Sequence, residues 1–299
     1  MKILICLVIG LTSVYSQSMT WEEYKKEFGK NYSATDDVYR NIYFTNVASI
    51  INNYNYENGL RPFQQGYSAI TDVNFNVYLA CFTAVSWTLI DIPKGKNITI
   101  ENTNNLPDAF ELDTSEVEIT DQTNYGDLDA FTCNYGWAFA VAKAVEIYGI
   151  HHSKYPSTTS LSAQQLIDCW GIDNCKAGFP HKALEYLTKY HQVLYSANNY
   201  RYVAKKNDFC TIDISGYPEA GSLKGFSTLE DNAKEEDIKS VLYNLKTPII
   251  IEINPNVNLF MTYKSGVYNT VSYNIYSHFM LIVGYGLKYT TEKNIPIGS

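Results

Sequence analysis

The sequence predicts an α+β protein with a helical half and a strand-rich half, preceded by a separate helical region. Up to about residue 190, apolar side chains and capping residues recur at helical spacing. After one further helix at 235–245, the runs 249–253 and 279–283 are short, apolar and bounded by turn residues, which is typical of strands. This order of halves favours two subdomains with a cleft between them.

The composition is that of a folded protein without a nucleic-acid or membrane partner. Of the 299 residues, 45% are hydrophobic and 18% are charged, and the net charge is −8. A negative charge of this size disfavours binding to nucleic acid or to an anionic membrane. We expect no cofactor and no metal, because Cys169 and Cys175 lack the close spacing of zinc ligands and no histidine lies near them in zinc-finger register.

Residues 1–16 are predicted to form a secretory signal peptide. Lys2 supplies the positive charge, residues 3–11 the apolar run, and Val14 and Ser16 the small residues of a cleavage site. No later stretch approaches the ~18 consecutive apolar residues of a membrane helix. We therefore expect a secreted, extracellular protein whose cysteines lie in an oxidising compartment.

The region from residue 17 to residue 96 is predicted to be helical. Thr20 and Glu23 form a capping box, and Gly29 ends the first helix. A second helix presents one face whose residue spacings follow the helical period. The residues of this face are Asp36, Arg40, Phe44, Val47, Ile51 and Asn55.

A turn-rich, polar stretch at 93–103 is predicted to link this region to a second domain, residues 97–299. The stretch contains the glycosylation sequon at Asn97, and a second sequon lies at Asn31. Both asparagines are candidates for glycosylation in a secreted protein.

Three helices are predicted before the strands of the second domain. The first follows Gly136 and ends at Gly149. Ser162 and Gln165 form a capping box for the second helix, and Pro180 suits the first turn of the third.

The sequence contains six cysteines, of which Cys6 lies in the signal peptide and Cys81 in the N-terminal region. The other four permit three pairings. These are Cys133, Cys169, Cys175 and Cys210.

Several motifs resemble papain-like cysteine proteases, in the order in which that family carries them. Residues 133–139, Cys-Asn-Tyr-Gly-Trp-Ala-Phe, resemble the start of the family's first helix. Residues 161–169 resemble the second helix, and 278–286 the segment that carries the catalytic histidine. Residues 200–204 are similar to the mite group 1 allergen branch. The helical face at 36–55 and the segment 68–72 resemble the family's propeptides.

The resemblance implies a papain-like two-subdomain fold, with a helical left half and a β-barrel-like right half. It also implies an inhibitor-type propeptide at 17–96 and a peptidase domain at 97–299. The implied disulfides are Cys133–Cys175 and Cys169–Cys210. Cys133 as a displaced nucleophile is disfavoured, because it lies three residues before the family position and outside the helix N-terminus that would lower its pKa.

The resemblance also implies that most of the catalytic groups are missing. The nucleophile position is Gly136, and the position of the oxyanion-donating glutamine is Ala130. The base is retained as His278, a histidine left without its partners. The orienting asparagine is expected shortly after Gly286, but Asn294 does not match its motif and the sequence stops at residue 299. We expect a peptidase domain truncated at the C-terminus, either in the gene or in the sequence given.

Three positions are expected to line the former substrate cleft. Phe131 and Tyr135 stand where the family carries small residues, so they either fill the groove or reshape it into an aromatic recognition surface. Gly178 matches a position where the backbone of a peptide substrate is met.

Three functions follow as hypotheses. The first is a secreted, inactive paralogue, an allergen-like pseudoprotease that binds a protein or peptide in the former cleft as a decoy, a competitor or a ligand of host factors. The second is an active secreted cysteine endopeptidase, which whole-chain similarity alone suggests. The third is a propeptide-like inhibitor acting through its N-terminal helices. Gly136 separates the first hypothesis from the second.

Overall fold

The computed structural model of the chain describes most of its helical and strand regions. The described residues are 18–56, 63–79, 98, 100, 105–115, 117–118, 134–154, 156, 159–170, 178–190, 193–210, 219–230, 232–270, 277–286, 289–290 and 293–294. Several predictions lie outside these residues. They concern the signal peptide at 1–16, Asn97, Ala130, Phe131, Cys133 and Cys175.

Helices α1 to α8 and strands β1 to β10 are numbered in chain order. In that order they are α1 Trp21–Glu27, α2 Ala34–Tyr56, β1 Phe63–Gln65, α3 Phe75–Leu79, β2 Phe110–Glu111, α4 Gly136–His151, α5 Ala163–Trp170, α6 Pro180–Lys189, β3 Val193–Tyr195, β4 Glu219–Ser222, α7 Glu235–Leu245, β5 Ile249–Ile253, α8 Val257–Met261, β6 Tyr263–Gly266, β7 His278–Ile282, β8 Gly284–Tyr285, β9 Tyr289–Thr290 and β10 Lys293–Asn294.

The helical half is built around α4. Its residues are apolar on nearly every side, so the helix is buried all round rather than on one stripe. α5, α6 and strand β7 pack against it. The shared core includes Trp137, Phe139, Leu166, Leu187 and Leu281, each at most 2% exposed. Burial of such side chains is the main force holding the two halves together.

The predicted capping box of α5 is half confirmed. The Ser162 hydroxyl accepts a hydrogen bond from the Gln165 backbone N–H at 3.0 Å, as a cap requires. The Gln165 side chain does not reciprocate. It donates to the Val193 carbonyl at 2.7 Å and accepts from the Tyr195 N–H at 2.8 Å, so it ties α5 to β3.

The strand-rich half consists of antiparallel pairs in the part of the chain that is described. The pair that matters for the site is β5 with β7, five residues long, in which Ile253 lies opposite His278. Both strands were predicted from their apolar runs. This half follows the helical half, so the predicted α+β arrangement is confirmed.

The N-terminal region packs on the strand-rich half. α1 begins with the predicted capping box, since Thr20 accepts from the Glu23 N–H and the Glu23 carboxylate accepts from the Thr20 N–H. β1 pairs antiparallel with β6. Ile70 and Tyr78 share a buried cluster with Phe260 and Met280. This region therefore has a common core with the strands next to the site.

Candidate functional site at the start of the central helix

The fold brings Gly136 and His278 into contact. Gly136 is the first residue of α4, and His278 is the first residue of β7. A Cβ atom at position 136 would lie 2.8 Å from His278 Cε1 and 3.3 Å from Nδ1. That approach is closer than van der Waals contact permits. The imidazole therefore occupies the space next to position 136 into which a side chain would project.

Burial keeps the His278 ring neutral. Desolvation disfavours the imidazolium and lowers the pKa of His278 from 6.5 to about 4. No charged group contributes to this shift. The centroid of the Phe260 ring lies 6.1 Å from that of the imidazole. At neutral pH the site thus presents an uncharged imidazole against a residue that has no side chain.

Tyr135 does not line an open groove. Its side chain is 3% exposed, and burial raises its pKa to about 12. The ring meets that of Tyr202 edge to face at a centroid distance of 6.5 Å, and Phe139 meets the same ring at 4.9 Å. Of the two alternatives for Tyr135, an exposed aromatic surface is not what the described structure has, because the 200–210 segment covers the ring.

Gly178 is buried and supports the helix start. A Cβ atom there would lie 2.2 Å from Cε2 of Trp137, whose indole is 1% exposed. Only a residue without a side chain allows this approach. The structure therefore gives Gly178 a packing reason, which differs from the predicted role of meeting a peptide backbone.

The predicted disulfide between Cys169 and Cys210 is present, with a Cα–Cα distance of 4.6 Å. Beside it, the buried Asp168 carboxylate accepts from the Tyr200 hydroxyl at 2.7 Å and from the Asn207 N–H at 2.8 Å. These hydrogen bonds hold the 200–210 segment, which covers Tyr135, against α5. The other predicted pair, Cys133–Cys175, lies outside the described residues.

The remaining predicted positions in the described structure are Asn31 and Asn294. Asn31 is exposed just before α2, as a glycosylation site requires. Asn294 lies in β10, which pairs with β9.

The described residues include no group of three or more His, Cys, Asp or Glu side chains that could hold a metal. In the same residues, no helix is long and apolar enough to span a membrane.

Sequence reasoning missed one charged residue near the site. Glu252 lies in β5 one position before Ile253, which is the residue opposite His278. The signal was present, since Glu252 is the single charged residue in the run Ile-Ile-Ile-Glu-Ile. A charge inside an otherwise apolar strand carries a desolvation cost.

Known proteins match this chain over most of its length. A cathepsin L-like proteinase of Fasciola hepatica is 27% identical over 301 residues, which cover 98% of this chain and 87% of that protein. Among solved structures, a recombinant stem bromelain precursor superimposes with a TM-score of 0.72 at 24% identity, covering 90% of this chain and 82% of that one. A structure concerning the mite allergens Blo t 1 and Der p 1 gives a TM-score of 0.67 at 22% identity, covering 90% and 86%.

The two structural matches show that the chain has this fold. One of them concerns mite allergens, the branch that residues 200–204 resemble. The sequence profile described as papain family cysteine protease matches residues 106–295, which is more than half of the chain. The matched residues contain α4, β7 and the contact between Gly136 and His278. The chain therefore belongs to the papain family of cysteine proteases.

Proposed function

We propose that this chain is a secreted, catalytically inactive member of the papain family that acts by binding. The observation that supports this proposal is Gly136, which is in contact with His278 at the position of the family's nucleophile. Covalent catalysis by this family forms a bond between a cysteine sulfur and the substrate carbonyl carbon, and glycine has no atom to form it.

The state of His278 follows from the missing nucleophile. A thiolate and a neighbouring imidazolium stabilise each other. Gly136 supplies no thiolate, and burial alone lowers the pKa of His278 to about 4. Ala130, at the position of the oxyanion donor, has no side-chain hydrogen-bond donor. The site thus lacks the nucleophile and the side-chain oxyanion donor.

Secretion and a retained propeptide region complete the proposal. Residues 1–16 carry the pattern of a signal peptide, and four cysteines suit an oxidising compartment. The N-terminal region from residue 18 packs on the strand-rich half in the described structure. The alternative, an active secreted endopeptidase, is favoured by the overall similarity to named proteases.

We expect the full-length secreted protein to show no peptide turnover and no labelling by an epoxysuccinyl thiol probe. Gly136→Cys should accept the probe slowly at best, because the new Cβ would meet His278 Cε1 at 2.8 Å. Its turnover should stay at least ~10²–10³-fold below that of an active relative, which is the typical cost of losing one oxyanion donor. Gly136→Ser is the matched control of similar size without a thiol.

Robust peptide turnover by the unmodified protein, or its labelling by the thiol probe, would contradict the proposal that the protein is inactive. Rapid turnover by Gly136→Cys would show that Ala130 does not limit the site. The same assays on the isolated N-terminal region against an active papain-family enzyme test the inhibitor hypothesis, which predicts inhibition at a one-to-one ratio.

A decoy function predicts a second, independent result. An active papain-family enzyme is first inhibited by one equivalent of a protein inhibitor that binds papain-family enzymes. The full-length protein is then added in excess. Competition for the inhibitor should restore enzyme activity in proportion to the added protein. Activity that stays flat at a hundredfold excess would exclude the decoy role while leaving inactivity itself intact.

A further inference from the structure

Two exposed aromatic side chains flank the disulfide of the helical half. Trp170 directly follows Cys169 at the end of α5, and Phe209 directly precedes Cys210. The disulfide holds the Cα atoms of the two cysteines 4.6 Å apart. Since neighbouring Cα atoms along a chain are about 3.8 Å apart, the Cα atoms of Trp170 and Phe209 are within about 12 Å of each other. The cross-link therefore brings both side chains to one part of the surface.

The aromatic surface continues onto α6. The ring of Trp170 stacks on that of Tyr186, with the centroids 5.0 Å apart and the planes 17° apart. The ring of Tyr186 in turn lies 5.9 Å from that of Tyr190, one turn further along the helix. Phe209, Trp170, Tyr186 and Tyr190 are called the aromatic row below.

The aromatic row is open to solvent at most of its positions. Phe209 is 81% exposed, Tyr190 is 53% exposed and Trp170 is 37% exposed. Exposed apolar side chains that are scattered singly are ordinary, whereas a contiguous group of them marks an interaction site. Tryptophan and tyrosine are also the residue types that most often anchor protein interfaces.

The aromatic row is surrounded by cations, although the chain as a whole has a net charge of −8. The Lys189 ammonium lies 5.5 Å from the centroid of the Tyr190 ring. Lys205 is exposed, and its carbonyl accepts a hydrogen bond from the Gln164 side chain at 2.7 Å, which holds it beside α5. Between residues 182 and 209, cations outnumber anions. The cations are Lys182, Lys189, Arg201, Lys205 and Lys206, and the anions are Glu185 and Asp208.

We propose that the aromatic row docks an acidic segment of a partner protein, with an apolar side chain of that segment against Phe209 and Trp170. The inference deepens the proposed function, on which it rests, because it gives a protein that acts by binding a surface outside the contact of Gly136 with His278. The aromatic rings supply the apolar anchor, and the lysines around them complement the partner's carboxylates.

A protein segment fits this surface better than a uniform polyanion such as a nucleic acid or a sulfated polysaccharide. Glu185 and Asp208 lie among the cations, and the net charge of −8 repels a chain that is negative along its whole length. Phe209 has no polar atom in its side chain, so it contributes apolar contact only. A partner that alternates carboxylates with apolar side chains matches both properties.

The chemistry of the partner is tested with a library of random dodecapeptides displayed on phage and selected on the full-length secreted protein. We expect the enriched peptides to combine Asp or Glu residues with a Leu, Phe or Trp residue. These peptides are then synthesised, and their dissociation constants are measured by fluorescence anisotropy. A higher ionic strength should weaken the binding, because salt screens interactions between exposed charges.

Phe209→Ser and Lys205→Glu should each weaken the binding of the enriched peptides by about tenfold or more. Both side chains are exposed, so the fold should be retained, and circular dichroism checks this. Two matched controls should leave the dissociation constants unchanged. Tyr39→Ser removes an aromatic ring that is 59% exposed on α2, and Lys26→Glu reverses the charge of an exposed lysine on α1.

The inference is overturned if no peptide is enriched, if the enriched peptides are not acidic, or if Phe209→Ser and Lys205→Glu bind them as the unmodified protein does. Self-association that Phe209→Ser abolishes, measured by light scattering, would replace the partner by a second copy of this chain. Heparin binding that depends on Lys205 and not on Phe209, without any peptide binding, would replace it by a polyanion.

The same peptides separate this inference from the proposed function. Peptides that bind the unmodified protein and both variants equally would support a protein that acts by binding and reject the aromatic row as its surface. Mass spectrometry of the peptides after the titration reports cleavage. Cleaved peptide would contradict the proposed inactivity, while the effects of Phe209→Ser and Lys205→Glu on the dissociation constants would still decide the role of the aromatic row.

Discussion

Replacing Lys143 by Met is expected to lower the free energy of unfolding by about 3–5 kcal/mol, the usual cost of removing one member of a buried ion pair. Lys143 Nζ lies 3.0 Å from both carboxylate oxygens of Glu146, one turn later on α4. The two side chains are 5% and 0% exposed. The substitution leaves the Glu146 carboxylate buried without its cation, and that uncompensated charge is the source of the loss.

The loss should depend on pH in a defined direction. Burial is the largest influence on Glu146 and raises its pKa above 4.5, while Lys143 opposes the rise. A carboxyl group whose pKa is raised on folding favours the folded state below its unfolded pKa, and this benefit is lost as the pH rises through the folded pKa. Removing Lys143 raises the folded pKa further. The deficit of the variant should therefore be larger at pH 7 and shrink as the pH falls towards 4.5.

Urea unfolding at both pH values measures this effect, and a surface pair supplies the control. Lys182 and Glu185 have the same spacing on α6, lie 3.6 Å apart and are 37% and 36% exposed. Lys182→Met should change stability by at most about 1 kcal/mol. Adding Glu146→Gln to Lys143→Met should recover part of the loss, because the amide oxygen can still accept from the Leu161 N–H. An equal loss at both pH values would contradict the mechanism.

The parts of the fold that could be predicted from the sequence are those that depend on local signals. The cap of α1 depends on residues three apart, and the starts of α4 and β7 depend on short patterns around Gly136 and His278. The pairing of Cys169 with Cys210 followed from resemblance, and the structure contains it. Each of these features is determined within a few residues or by a family pattern.

Features that depend on distant contacts were not predicted. Tyr135 is buried because Tyr202, far along the chain, packs against it. The Gln165 side chain forms hydrogen bonds with β3 instead of capping its own helix, because Val193 and Tyr195 come within reach only in the folded chain. The spacing of Lys143 and Glu146 was visible in the sequence, but their burial was not. Periodicity indicates which face a residue lies on, whereas the partner of that face depends on tertiary packing.

Gly178→Ala should be the most damaging single-methyl addition near the site, with a loss of about 3 kcal/mol, at the upper end of what overpacking usually costs. The new Cβ would lie 2.2 Å from Trp137 Cε2 and 2.5 Å from Cδ2 and Nε1. The indole is 1% exposed and has no empty space to move into without shifting its neighbours. The added methyl group therefore displaces either the indole or the segment before α6.

Gly225→Ala is the matched control, because no atom lies within 4 Å of the position that its Cβ would take. It should stay within about 0.5 kcal/mol of the unmodified protein, as surface substitutions do. Trp137→Phe removes Nε1 and makes the ring system smaller, so Gly178→Ala should cost less in that background than in the original protein. Near-ultraviolet circular dichroism reports whether the indole has moved.

The same variant decides between the two interpretations of Gly178. Trp137 follows Gly136 directly, so a displaced indole changes the start of α4 and its contact with His278. The packing interpretation predicts a large loss of stability with or without a ligand. If glycine is instead present to let a peptide backbone approach, Gly178→Ala should leave the unfolding free energy unchanged and weaken only the binding of a peptide or protein ligand. A stable Gly178→Ala protein with an unmoved indole would therefore restore the groove role that the sequence first suggested.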